Sequence, residues 1–169
     1  MITIFEKFEK NTKPNLNNYN EDLWRLIKIA NWQKVINKKS DKNLKDVEVE
    51  KMKGRIFKNF EYDDFLSLSD EYIKLENDLK KYFKTLWLSQ DNTLNVSDDE
   101  YWDLISSVIG KGKKFIIDCI NDKTNLIDMV KKENYAENFS YIWQTSHKKY
   151  VEIRSKYDPL YRNLNKFNM

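Results

Sequence analysis

The sequence predicts an all-α protein, one domain built as a bundle of about six to eight helices. Gly and Pro number only three and two in 169 residues, whereas sheets joined by tight hairpins need more of both. Every strong apolar periodicity steps by three and four, the spacing of a helix face. Charged residues make up 34 % and hydrophobic ones 40 %, a balance that suits helices with one buried and one solvated side. A chain of this length buries a core without disulfides or a structural metal.

Residues 1–19 read as an N-terminal extension, 20–157 as the helical core and 158–169 as a tail. Met1–Lys10 fits strand or helix equally, and Asn11–Asn20, "NTKPNLNNYN", is a polar connection. The first helix is expected over Glu21–Lys38, with Asn20 as N-cap and Glu21 and Asp22 at the positive helix start. A second spans Leu44–Phe57, with a thinner stripe of Leu44, Val47, Met52 and Ile56. The clearest amphipathic helix follows Ser69. Its stripe is Ile73, Glu76, Leu79, Tyr82, Phe83 and Leu86, interrupted only by the glutamate. After a polar loop at Gln90–Val96, a helix carries Tyr101, Leu104, Ile105, Val108 and Ile109 and stops at Gly110 and Gly112. Short helices follow over Lys113–Asn121 and around Leu126–Val130. The last long helix is expected over Ala136–Lys156, closed by Pro159.

The single cysteine, Cys119, excludes an internal disulfide framework and a multi-thiolate metal site. Its apolar setting, "FIIDCI", reads as a buried structural thiol. No apolar run is long enough for a membrane span, and the N-terminus lacks the pattern of a signal peptide, so a cytoplasmic protein is expected. The net charge of +3 is mild, but it is unevenly spread. Lys34–Lys58 holds nine basic residues against four acidic, Glu61–Asp78 seven acids against one lysine, and Asp91–Asp103 five acids and no base. The tail from Lys148 is basic again.

Catalytic and metal motifs fail on inspection, and no cofactor is expected. "DNTLNVSDDEYW" places Asp91, Thr93, Asn95, Ser97 and Asp99 at alternate positions, as a calcium loop does. However, Val96 stands where glycine is needed and Trp102 where the bidentate glutamate belongs. His147 is the lone histidine, so di-iron and zinc sets are excluded by count. Ser146 beside it points about 100° away on a helix and forms no dyad. "GKGKKF" lacks the spacing and the preceding strand of a phosphate loop, and its lysines read as a solvated helix junction. The basic segments would meet nucleic acid only if they share a face. "SDDE" is explained as a capping box from Ser97 to Glu100, with Asp98 and Asp99 in a first turn that favours negative charge.

Ser97-Asp98-Asp99, then Tyr101, Leu104, Val108-Ile109, Gly112, Lys113, Phe115-Ile116, Ile120, Asp122 and Leu126, resembles the bacterial family called domain of unknown function 4240. "LWRLIKIA" at Leu23–Ala30 is similar to the opening helix of that family, and "ENFSYIWQTSHKKYVEI" at Glu137–Ile153 to its closing helix. "FLSLSDEYIKLENDLKKYF" falls where members place an amphipathic helix. The resemblance covers about Asp22 to Ile153. Members carry Gly-Gly-Cys before the Ser-Asp-Asp, where this chain has Leu94-Asn95-Val96. The resemblance implies a helical fold and transfers no catalytic residue.

These readings point to a non-enzymatic protein that binds another protein, in the form of a cytosolic toxin-immunity protein whose partner is its cognate toxin. A phage-encoded blocker of a host defence protein and a nucleic-acid-binding helical protein are the alternatives. The candidate contact residues are Asp91, Asp98, Asp99, Trp102, Asp103, Asp63 and Asp64. Trp102 would be the aromatic anchor, with a core position as its other reading.

Overall fold

A computed structural model describes residues 12–87, 94–136 and 139–165; the segment Met1–Lys10 lies outside the described residues. The protein is all-α, with no strand among the described residues. The helices are α1 (Glu21–Ala30), α2 (Gln33–Ile36), α3 (Lys42–Asn59), α4 (Tyr62–Trp87), α5 (Asp98–Gly110), α6 (Lys113–Asn121), α7 (Thr124–Lys131), α8 (His147–Tyr157) and α9 (Pro159–Asn165). Their apolar faces meet in one cluster, and every residue of α5 from Leu104 to Gly110 is buried.

Asn20 caps α1 as expected, its side chain accepting from the Asp22 N–H at 2.8 Å. The helix then stops at Ala30 instead of continuing to Lys38. Asn31 adopts the left-handed conformation, φ 50°, which asparagine tolerates better than most side chains. Arg55 of α3 donates to the orphan carbonyls of Ile29 and Ala30 at 3.2 and 2.7 Å, which fixes the break. The turn swings Trp32 into the core. It is 2 % exposed, edge-on to Phe139 at 5.4 Å, and donates to Ser107 Oγ at 3.3 Å.

On α3, Met52, Ile56 and Phe57 are buried, but Leu44 and Val47 of the expected stripe are exposed. Helix α4 begins at Tyr62, well before the expected start after Ser69. Its buried line is Phe65, Leu68, Tyr72, Leu75, Glu76, Leu79, Lys80 and Phe83; of the expected stripe Glu76, Leu79 and Phe83 are buried, Tyr82 and Leu86 are half-buried, and Ile73 is exposed. In the loop before α5, Leu94 and Val96 are buried despite their polar neighbours.

The expected single helix over Ala136–Lys156 is not formed. Phe139–Gln144 is a 3₁₀ turn, and α8 starts only at His147 with Ser146 as N-cap. Ser107 Oγ holds both the N–H and the C=O of Ala136, at 3.1 and 2.9 Å. These bonds hold Ala136 in its non-helical course beside α5. Further on, Arg154 donates to both oxygens of Glu61 at 2.6 and 2.7 Å, which ties α8 to the corner before α4. Tyr150 supports the same corner, donating to the Phe60 carbonyl at 2.8 Å. Pro159 closes α8 and also opens α9, within the stretch read as a tail. Asp158 accepts from Leu160 and Tyr161 there, and proline suits a first helical position.

Gly110 lies against Trp32: a Cβ built on it would stand 2.6 Å from the indole ring. Glycine-to-alanine changes in an open helix gain up to about 1 kcal/mol. Here Gly110→Ala is expected to destabilise by about 1–3 kcal/mol through overpacking, measured by urea unfolding. A gain in stability would show that Trp32 does not pack there.

Burial raises the phenols of Tyr72, Tyr101 and Tyr19 and pushes Tyr150 up to about 12. The Cys119 thiol rises to about 12 for the same reason. Unfolded phenols ionise near pH 10, so above that pH the unfolded chain sheds protons that the fold keeps. Stability then falls with rising pH, by up to about 1.4 kcal/mol per unit for each phenol. Burial lowers Lys53, Lys80 and Lys111, which acts in the opposite sense but only below about pH 10.5. The urea midpoint is therefore expected to drop steeply between about pH 10 and 12. A flat midpoint across that window would contradict the buried phenols.

Candidate functional site: an acidic face around Trp102

The face is built on the first turns of α5. Ser97 Oγ accepts from the Glu100 N–H at 3.4 Å, and Glu100 Oε2 accepts from the Ser97 N–H at 2.8 Å. This is the expected capping box. The Ser97 N–H and hydroxyl, both donating to Glu100 Oε2 at 2.8 and 2.9 Å, hold the Glu100 carboxyl below its usual range. With the start of the helix fixed, Asp98 and Asp99 project into solvent and Asp103 is half-buried. Tyr135 lies close by: burial raises its phenol, and so do Glu100, Glu133 and Asp103. Acids from two segments therefore share this side.

Trp102 is 53 % exposed, so it is a surface residue and not part of the core. One face of its ring is covered by Lys80 of α4, whose Nζ stands 3.0 Å from the ring centroid. Lys80 is itself nearly buried, and its Nζ is 3.0 Å from Glu76 Oε2. Glu76 Oε1 accepts from the Tyr72 hydroxyl at 3.3 Å, and that hydroxyl is 3.0 Å from Ser106 Oγ. Tyr72, Glu76 and Lys80 recur every four residues, so they form one polar line along the buried side of α4. The line runs from the centre of the core to the underside of an exposed tryptophan. A desolvated cation against an indole contributes about 2 kcal/mol, and it holds the ring in one orientation.

The other candidates separate. Asp63 and Asp64 are exposed in the first turn of α4. Asp64 lines a shallow recess of about 300 Å³ with Asn20, Asp22 and Arg25. Asp64 and Lys80 stand on one continuous helix, separated by about 24 Å of axial rise, so the two acid groups are not one patch. Asp91 lies outside the described residues.

His147 is exposed at the first position of α8, and its ring is 4.8 Å from that of Tyr62. The Ser146 hydroxyl beside it is engaged as the N-cap, accepting from the Lys149 N–H at 3.3 Å. Among the described residues, no group of three or more His, Cys, Asp or Glu side chains is placed to hold a metal ion. No described helix is long and apolar enough to cross a membrane.

The basic segments do lie side by side, since α3 packs against α8 and Lys149 helps lower Lys53. Acids are interleaved among them: Lys51 pairs with Glu48, Lys149 with Glu152 and Lys156 with Glu50.

No match is found. Comparison with protein-family models, with curated proteins and with solved structures returns nothing similar to this chain. The resemblance to domain of unknown function 4240 thus rests on the residues quoted for it.

The sequence reading missed Lys80 and Tyr72, although a signal was present. Glu76 was the single polar interruption of an apolar stripe, with a lysine four residues after it and a tyrosine four before. An acid that breaks such a stripe and has a base one turn away marks a buried pair. Lys80→Met is expected to destabilise by about 3–5 kcal/mol, because it leaves the Glu76 charge buried and unpaired. Adding Glu76→Leu should restore most of that loss in the same unfolding assay. Equal losses in the single and double variants would mean that the pair is not buried as described.

Proposed function

We propose that this protein acts by binding another protein, docking a basic surface of its partner onto the acidic face around Trp102. Its role in this reading is that of a cytosolic inhibitor, an immunity protein that neutralises a toxin. The observation that carries it is the exposed Trp102, braced from beneath by Lys80 and flanked by Asp98, Asp99 and Asp103. A tryptophan already held in place loses little freedom on binding, which is the property of an interface anchor. The surrounding carboxylates would steer a basic partner and speed its association. The resemblance to domain of unknown function 4240 carries no chemistry that conflicts with a binding role.

A nucleic-acid-binding role is the second reading, favoured by the packing of α3 against α8. The interleaved acids weigh against it, since each ion pair leaves less positive charge for a phosphate.

The test is calorimetric titration of the purified protein with the product of its neighbouring gene. Trp102→Ala is expected to weaken that binding by about 30-fold or more, the loss of a hot-spot residue. Asp98→Asn with Asp99→Asn should slow association and flatten its salt dependence. Binding that is unchanged in both variants would remove this face from the function. Retention of DNA that falls steeply with salt would favour the second reading.

A further inference from the structure

Between α3 and the 3₁₀ turn Phe139–Gln144 lies a recess of about 280 Å³, floored by Trp32 and Ile142. We propose that this recess binds a small aromatic monocarboxylate, with its carboxylate on the Lys53 ammonium and its ring between Val49 and Tyr141.

The recess follows from the packing of α3. The buried residues of this helix are Met52, Gly54, Ile56 and Phe57, all in its C-terminal half. Its N-terminal half stands off from the core, and Val49 is only half-buried. Lys42, Asp46, Val49 and Lys53 recur by three and four, so they share the side of α3 that lines the recess. Opposite them, the 3₁₀ turn sends Phe139 into the core beside Trp32 and leaves Tyr141 outside.

The apolar surface within reach is that of Tyr141 and Val49. Trp32 and Ile142 are 2 % and 1 % exposed, so they close the floor without offering contact area. Tyr141 is 53 % exposed, and among the described residues no ring, cation or hydrogen-bonding group engages its side chain. The methylene stems of the lysines extend the wall.

Lys53 supplies the charge. It is half-buried. Burial lowers its ammonium, Lys149 nearby lowers it further, and no acid opposes them. An anion beside such a cation would offset both effects. Asp46 is the one carboxylate lining the recess among the described residues. It stands about 10 Å from Lys53 along the helix axis, at the exposed mouth beside Lys42, where water screens both charges. The inner part of the recess thus presents one positive charge, which matches one carboxylate and not a phosphate dianion. Val49 and Lys53 are one helical turn apart, about 6 Å. That is the span of a ring joined to a carboxylate by a short linker. The volume lies at the small end for ligand cavities, roughly 300–1,000 Å³, which limits the body to a single ring.

Binding is tested by calorimetry on the full chain with phenylacetate as the probe, and with phenylacetamide and acetate as separate arms. Saturable binding of phenylacetate is expected in the millimolar range or below. The neutral amide and the ringless acetate should each bind about ten-fold more weakly. Lys53→Gln should weaken phenylacetate by about ten-fold or more and leave phenylacetamide unchanged. Its thermal melting should be no lower than that of the parent protein, because burial disfavours the ammonium that it removes. Tyr141→Ala should weaken both aromatic ligands by about three-fold or more. No saturable binding of phenylacetate would overturn the proposal. Equal binding of the amide would do so too, as would a Lys53→Gln variant that binds phenylacetate unchanged or loses both ligands alike. Such a failure leaves the Trp102 face unaffected, because Trp102 does not line this recess.

Discussion

The hydroxyl of Ser107, buried in the middle of α5, makes every hydrogen bond it has to make. It accepts from the Trp32 indole and from the Ala136 N–H, and donates to the Ala136 carbonyl. A serine oxygen has one proton and two lone pairs, so the set is complete. Each such bond contributes about 1 kcal/mol net, but a buried partner left unmade costs about 1–3 kcal/mol. The two irregular parts of the chain therefore answer to one atom. Trp32 turns inward because α1 stops at Asn31, and residue 136 is held against α5 by both of its bonds to Ser107. Ser106, one residue earlier, holds the Ser140 N–H and the Tyr72 hydroxyl in the same manner.

This arrangement explains which elements could be read from sequence. Helices α5 and α6 have short, dense apolar periods and marked ends: the Ser97–Glu100 box, then Gly110 and Gly112. Local chemistry defines them, so the sequence reading finds them. The break at Asn31 and the 3₁₀ turn at Phe139 are set by long-range partners, Arg55 and Ser107, that no local window contains. The early start of α4 was hidden in another way. Phe65 and Leu68 continue its buried line, but Ser67, Ser69 and Asp70 beside them resemble a helix start. The acidic face was half legible. Its charges stand in the sequence, whereas the lysine that braces Trp102 comes from another helix.

Burying Glu76 and Lys80 is not the cheapest way to fill that part of the core, since a hydrophobic pair of the same volume is often as stable or more so. What the pair adds is placement. Its carboxylate engages Tyr72 and hence Ser106, and its ammonium emerges under Trp102. A leucine at either position would pack, but it would leave the tryptophan without a fixed seat. The ion pair thus links the centre of the core to the one exposed tryptophan among acids, and that link makes a surface ring rigid.

Helix polarity separates the two ends of α5. At its start, Asp98, Asp99 and Glu100 lie where the dipole welcomes negative charge, so those acids need no ligand to account for them. Their use as a contact surface rests on Trp102. At the α5–α6 corner the sense is reversed. Lys111 follows the C-terminus of α5, where a cation is favoured, but Lys113 and Lys114 stand at the start of α6, where it is not. Contacts within the fold offset the cost for Lys113, whose Nζ lies 3.8 Å from Glu21 and 5.4 Å over the Trp24 ring. Lys114 is exposed, so water screens its charge.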